Sequence, residues 1–223
     1  LGKQLAIMSD LTVVGESIPG GTTTALAVLR ALGIDARFKV SSSMPENPHN
    51  LKNKVVDSAI KRVIATGIEM ISSPFEAISA FGDPMMPSVA GIASGVLSAS
   101  GKIMLAGGTQ MSAIVAILKH LGRSLNGLYI GTTTYVTKDP SSDLSGLVRM
   151  ASEQVPILSC DLHLGESSKP GLQAFAKGFV KEGVGAGGAS IVAITKSRGK
   201  ITGKKLMNAI EKEYEASIEA AWH

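Results

Sequence analysis

The 223-residue chain is long enough to bury one sizeable core, or a core with a small appendage, without disulfides or metals to staple it. Hydrophobic residues at 44% and charged residues at 18% give a globular composition, while 4% aromatic residues argue against a platform that stacks single-stranded nucleic acid. A net charge of +4 spread over scattered Lys and Arg gives no nucleic-acid patch, and the lone Cys160 excludes an intramolecular disulfide and fits a reducing, cytoplasmic setting.

No apolar stretch approaches the roughly 20 residues needed to cross a bilayer, so no membrane partner is expected. The start at Leu1, with no charged-then-apolar leader, reads as a fragment without a signal peptide. In chain order, "LTVV" (11–14) reads as a strand, and "TALAVLRALG" (24–33) as a helix that stops at Gly33. "ARFKVS" (36–41) follows as a strand, and "LKNKVVDSAIKRVIA" (51–65) as an amphipathic helix with Lys52, Lys54, Lys61 and Arg62 mostly outward. "KIMLAGGTQMSAIVAILKHLG" (102–122) is strand, glycine turn, helix and glycine stop. "GLYIGTTTYV" (127–136) is strand and turn, "PILSCDL" (156–162) a strand, and "KPGLQAFAKG" (169–178) a helix. "GKKLMNAIEKEYEASIEAAW" (203–222) is a long charged amphipathic helix, suited to a packed lid or a dimer element. Strands alternating with helices of these lengths predict an α/β protein: a doubly wound, mostly parallel, Rossmann-like sheet with helices on both faces. The expected division is an α/β domain over 1–202 and a C-terminal helix over 203–223, packed on it or on a partner subunit.

Ligands of such sheets bind at the carboxyl ends of the strands, where the glycine turns fall. Gly20 and Gly21 let backbone amides approach a ligand, and Thr22 and Thr23 add hydroxyls at the start of the next helix, a place suited to phosphate. Gly107 and Gly108 with Thr109 repeat the arrangement, and Gly183, Gly185, Gly187 and Gly188 make a third cluster. None closes with the GK[ST] of a Walker loop or fits GxGxxG. Any single cluster is equally well a tight connection; three along one edge favour a shared anionic ligand. Glu16 and Glu182 each sit beside such a turn, as a proton acceptor or simply as a surface or capping residue. His49, His120, His163 and His223 have no metal-ligand spacing, and Cys160 and Asp161 do not complete a set, so no metal is expected. Cys160 itself reads as core packing.

In order along the chain, "GESIPGGTTTA", "LKNKVV", "AFGDPMMPSVAGIASGVLSASGKIMLAGGTQMSAIVAIL", "GESSKPGL" and "KEGVGAGGA" resemble the motifs of the nicotinate-nucleotide:dimethylbenzimidazole phosphoribosyltransferase family, in its divergent archaeal branch. The resemblance covers essentially the whole chain. It departs from the family at Ser17, Ile18 and Pro19, at Gly107 where an aspartate is usual, and at Lys169 where an acid is usual, which leaves the acceptor base unassigned. The family's N-terminal region, which contributes to the benzimidazole pocket, is absent from this sequence.

The resemblance implies transfer of the ribose phosphate of nicotinate mononucleotide to a benzimidazole-type base, as in cobalamin biosynthesis, with no cofactor and no metal. It implies Glu182 as general base and Glu16 as a second carboxylate. Gly20, Gly21, Thr22, Thr23, Lys54, Gly107, Gly108, Thr109, Ser167, Gly183 and Gly185 are the expected phosphate and ribose contacts. The expected partners are these small molecules and a second copy of the chain in a homodimer, not nucleic acid. The competing expectation is a non-catalytic nucleotide- or phosphosugar-binding protein of the same fold.

Overall fold

The structure, a computed structural model, describes residues 1–67, 71, 73–179 and 185–219. Four strands, β1 (Thr12–Gly15), β2 (Ile103–Ala106), β3 (Leu128–Thr133) and β4 (Ile157–Cys160), form an all-parallel sheet in the order β1-β2-β3-β4. The helices are α1 (Gly2–Met8), α2 (Gly21–Ala31), α3 (His49–Ala65), α4 (Pro74–Phe81), α5 (Met85–Ser98), α6 (Gln110–His120), α7 (Thr134–Thr137), α8 (Leu144–Ala151), α9 (Pro170–Ala176), α10 (Gly185–Lys196) and α11 (Gly203–Tyr214). This is the α/β, Rossmann-like arrangement that the alternation of elements predicts. Among the described residues no helix is long and apolar enough to cross a membrane.

The two faces of the sheet are covered differently. On β2 every residue is buried, as in strands sandwiched between helical layers. Ile103 and Leu105 join the main core with α2, α5, α6 and α8, where α6 is buried from Gln110 through Leu118. Each fully buried Ile or Leu there contributes about 1.5–3 kcal/mol relative to exposure. The opposite face, with Met104 and Ala106, receives α10, which packs on all four strands. Glycine makes that contact possible. A Cβ on Gly187 would overlap the backbone of Thr132, and one on Gly188 would overlap Ala106. Two of the glycines in the third cluster therefore set helix-to-sheet spacing.

Three sequence expectations change. Residues 36–41 are a turn, not a strand, because Phe38 has φ of +61° and points outward at 57% exposure while Ala36 and Val40 are buried. The left-handed residue breaks the two-residue alternation a strand needs. The helix expected from residue 24 begins at Gly21, so the threonines form its first turn. Lys52 is not outward: it is 7% exposed, together with buried Asn53 and Val56, while Leu51 and Val55 face solvent. The helix is rotated from its apolar pattern because Lys52 finds oxygen partners in the loop folded over its start.

Beyond β4, α11 rests on a small separate cluster of Cys160, Leu162, Leu164 and Met207.

Candidate functional site

The register aligns Gly15 with Ala106 and Ala106 with Gly131, so the strands' carboxyl ends share one rim. From Gly15 the chain turns through Glu16 and Pro19 into α2. Gly20, the residue before the helix, has φ of +75° with no atom of the described residues within 4 Å of a would-be Cβ, so its backbone conformation selects glycine there. Glu16 is held from two sides: Oε2 accepts the Ile18 N–H at 2.9 Å, and Oε1 accepts from Gln110 Nε2 at 2.7 Å.

The facing wall is the loop 41–48, pinned at several points. Thr109, fully buried, accepts the Ser41 N–H at 2.9 Å, and its hydroxyl also lies 2.9 Å from Ser41 Oγ. Asn47 Nδ2 donates to Val40 O at 2.8 Å and to Ser141 O at 3.1 Å. Lys52 Nζ donates to Ser41 O at 2.5 Å and to Asn47 Oδ1 at 3.2 Å.

Between these walls lies a cavity of about 310 Å³, bordered by Glu16, Gly20, Gly21, Thr22 and Thr23 of the first turn. Ser17, Ile18, Pro19, Ser41, Ser42, Ser43, Met44, Pro48, Lys52 and Gln110 complete it. Its chemistry is mixed. The first turn of α2 and the Lys52 ammonium favour an anion, whereas Glu16 accepts hydrogen bonds. A second cavity, about 470 Å³, opens past β3 and β4 and is bordered by Pro45 of the same loop with Tyr135, Asp161 and Lys177.

Of the residues expected from sequence, the cavity gathers Glu16, Gly20, Gly21, Thr22 and Thr23. Lys54 is exposed and does not line it; Lys52, two positions earlier, does, because the loop 41–48 folds over that side of α3. Gly107, Gly108 and Thr109 are buried behind the wall. They act at one remove, with Gly107 N–H extending the ladder to Gly131 O at 3.0 Å and Thr109 holding Ser41. Ser167 is also elsewhere. It is 2% exposed, and its hydroxyl donates to Glu211 Oε1 of α11 at 2.5 Å. Gly185 opens α10 against Gly15, whose Cβ would come within 3.3 Å of the Gly185 Cα. Glu182 and Gly183 lie outside the described residues.

Sequence reasoning missed Lys52, Gln110 and the three serines. The signal for Lys52 was the polar loop "SSSMPENPHN" immediately before it, which needs partners once folded back. Among the described residues, the buried hydroxyls of Thr132 and Thr133 at the end of β3 have no hydrogen-bond partner. Among the described residues no group of three or more His, Cys, Asp or Glu side chains could hold a metal ion.

No family model matches the chain. It is 47% identical over 98% of its length to a UPF0284 protein of Archaeoglobus fulgidus, covering 58% of that protein. It is 44% identical over 96% of its length to a UPF0284 protein of Sulfurisphaera tokodaii (58% covered), and 43% identical over 96% to one of Methanopyrus kandleri (56% covered). The chain thus spans a little under three fifths of these curated relatives, all of them UPF0284 proteins.

Proposed function

We propose that this chain is the phosphoribosyl-binding part of an enzyme that moves the ribose phosphate of nicotinate mononucleotide to a benzimidazole-type base, releasing nicotinate. The observation that carries the reading is the joining of Glu16, Lys52 and the Gly20–Thr23 turn in one cavity at the carboxyl ends of β1 and β2. A volume of about 310 Å³ sits at the small end of the range for ligand sites, roughly 300–1,000 Å³, and suits a sugar phosphate more than two aromatic rings at once.

In the proposed reaction the bond from the ribose anomeric carbon to the pyridinium nitrogen breaks as a benzimidazole nitrogen attacks from the opposite face. Nicotinate leaves with the bonding pair on a ring nitrogen that becomes neutral, so no acid is needed. The attacking ring must shed its N–H proton, and the motif "KEGVGAGGA" supports Glu182 as the carboxylate that takes it. Glu16 is the second carboxylate, fixed by Ile18 and Gln110 to steady the positive charge that develops on the sugar. The first turn of α2 and Lys52 hold the phosphate.

The test is to incubate the full-length protein with nicotinate mononucleotide and a panel of candidate bases and to follow free nicotinate by chromatography. Base-dependent release supports the transferase. Thermal stabilisation by the mononucleotide with no release under any base would instead support a non-catalytic phosphosugar binder. Glu182→Gln should lower turnover by about 10²-fold or more while sparing nucleotide binding; unchanged turnover would remove Glu182 from the mechanism.

A further inference from the structure

The sheet face that bears α10 is only partly covered. Val13, Met104 and Tyr129 lie in register on β1, β2 and β3, and Leu158, aligned with Gly131, continues that face on β4. Four strands about 4.8 Å apart make a face roughly 19 Å wide, whereas a helix with its side chains is about 10–12 Å across, so α10 alone leaves part of it open. The opening is a groove of about 760 Å³ at the amino ends of the strands, the opposite end of the sheet from the Glu16 cavity. Met104, Tyr129 and Leu158 line its floor, Ile191 of α10 one side, and Ile7 and Met8 at the end of α1 the other.

Ile7 is 83% exposed, Met8 80% and Leu158 40%, and contiguous apolar surface rimmed by charge marks a contact. The rim is mostly positive: Lys102 and Lys196 are exposed there with Asp10, and neither lysine forms an ion pair with a described residue. A covering element therefore brings an apolar stripe for the floor and acidic residues for the edge. The UPF0284 relatives carry more chain from which to supply it, because the match covers 58%, 58% and 56% of them and leaves a little over two fifths of each outside it. A tethered segment meets the groove at an effective concentration of roughly millimolar, so it outcompetes a free partner that makes equal contacts. We infer that in the full-length protein a segment from outside residues 1–223, apolar on one face and acidic at its edge, packs into this groove as a further helix beside α10. The inference is independent of the phosphoribosyl reading.

The test uses full-length protein carrying Met8→Cys, with Lys61→Cys on the exposed side of α3 as reference, each labelled with a maleimide under native conditions and read by mass spectrometry of the peptide. Position 8 should label about 10-fold or more slowly than position 61, and at an equal rate in urea. In wild-type protein a carbodiimide, which joins amines to carboxyls in contact, should link Lys102 or Lys196 to an Asp or Glu outside residues 1–223, in the band of single-chain mass on a denaturing gel. Equal native labelling at the two positions would overturn the inference, and so would the absence of such a link. Protection that disappears on dilution, as an assembly dissociates, would give the groove to a second copy and would also overturn it. The cross-link needs no variant, so a Met8→Cys protein that folds poorly still leaves the inference open to refutation. Neither readout involves nicotinate mononucleotide or turnover, so failure here and failure of the transferase reading are told apart.

Discussion

Lys52 and Lys54 differ by two positions on one helix, and the structure separates their roles sharply. Replacing Lys52 by Met keeps most of the aliphatic stem but removes the donor to Ser41 O at 2.5 Å and to Asn47 Oδ1 at 3.2 Å. Hydrogen bonds from a charged group contribute about 1.5–3 kcal/mol each. The long Asn47 contact falls at or below the lower figure, and Met recovers part of the loss by burying its own apolar end. The net cost should be about 2–4 kcal/mol, a melting temperature lowered by roughly 5–15 °C for a chain of this size. Lys54→Met, on the exposed side, should stay within about 0.5 kcal/mol of wild type. Urea denaturation gives the stabilities, and titration with nicotinate mononucleotide gives the second reading: affinity should fall in Lys52→Met only. A Lys52 variant as stable and as tightly binding as wild type, or a Lys54 variant bearing the loss, would refute the account of the site's cation.

Gly187→Ala should cost about 2–3 kcal/mol or more, because its Cβ would run into the Thr132 backbone and α10 must lift off the sheet; chemical denaturation measures this. Burial raises the Cys160 thiol above its usual range, so in the folded protein it should react with a colorimetric thiol reagent at neutral pH far more slowly than a free cysteine, and rapidly in urea. The Glu211 carboxyl is held below its usual range, first by the Ser167 hydroxyl and then by the Ser168 N–H. A lowered folded value means its support for α11 is complete above pH about 4.5 and lost as pH falls through the lowered value. Hydrogen exchange should show α11 loosening in that acid window before the sheet does; loss of both together would contradict it.

Much of the scaffold could be read from the chain. The apolar runs "LTVV" and "KIML", each followed by a glycine turn and a helical pattern, place two strands and two helices; "KIML" is continuously apolar because β2 is buried on both faces, whereas β1 lies at the sheet edge with Val13 exposed. Local pattern could not foresee the left-handed Phe38, since nothing in "ARFKVS" marks a residue other than glycine for that conformation. In the site, Glu16 and the Gly20–Thr23 turn were legible because they are contiguous. Lys52 and Gln110 were not. Their roles come from partners distant in sequence, Ser41 and Glu16, and hydropathy alone assigns a lysine to solvent. Ser167 illustrates the reverse: a motif residue whose hydroxyl is occupied by Glu211, 44 positions away.

The placement of α10 has a bearing on how the chain is made. It contacts every strand, and its first residue, Gly185, lies 170 positions after Gly15, the residue it abuts. During synthesis, then, the sheet face bearing Met104 and Ala106 emerges well before its cover does. A polypeptide released short of that helix would present bare aliphatic surface to its neighbours, and such exposure promotes aggregation. Chaperone dependence of translation products ending near residue 180, relieved in those reaching residue 200, is the cellular trace this architecture should leave.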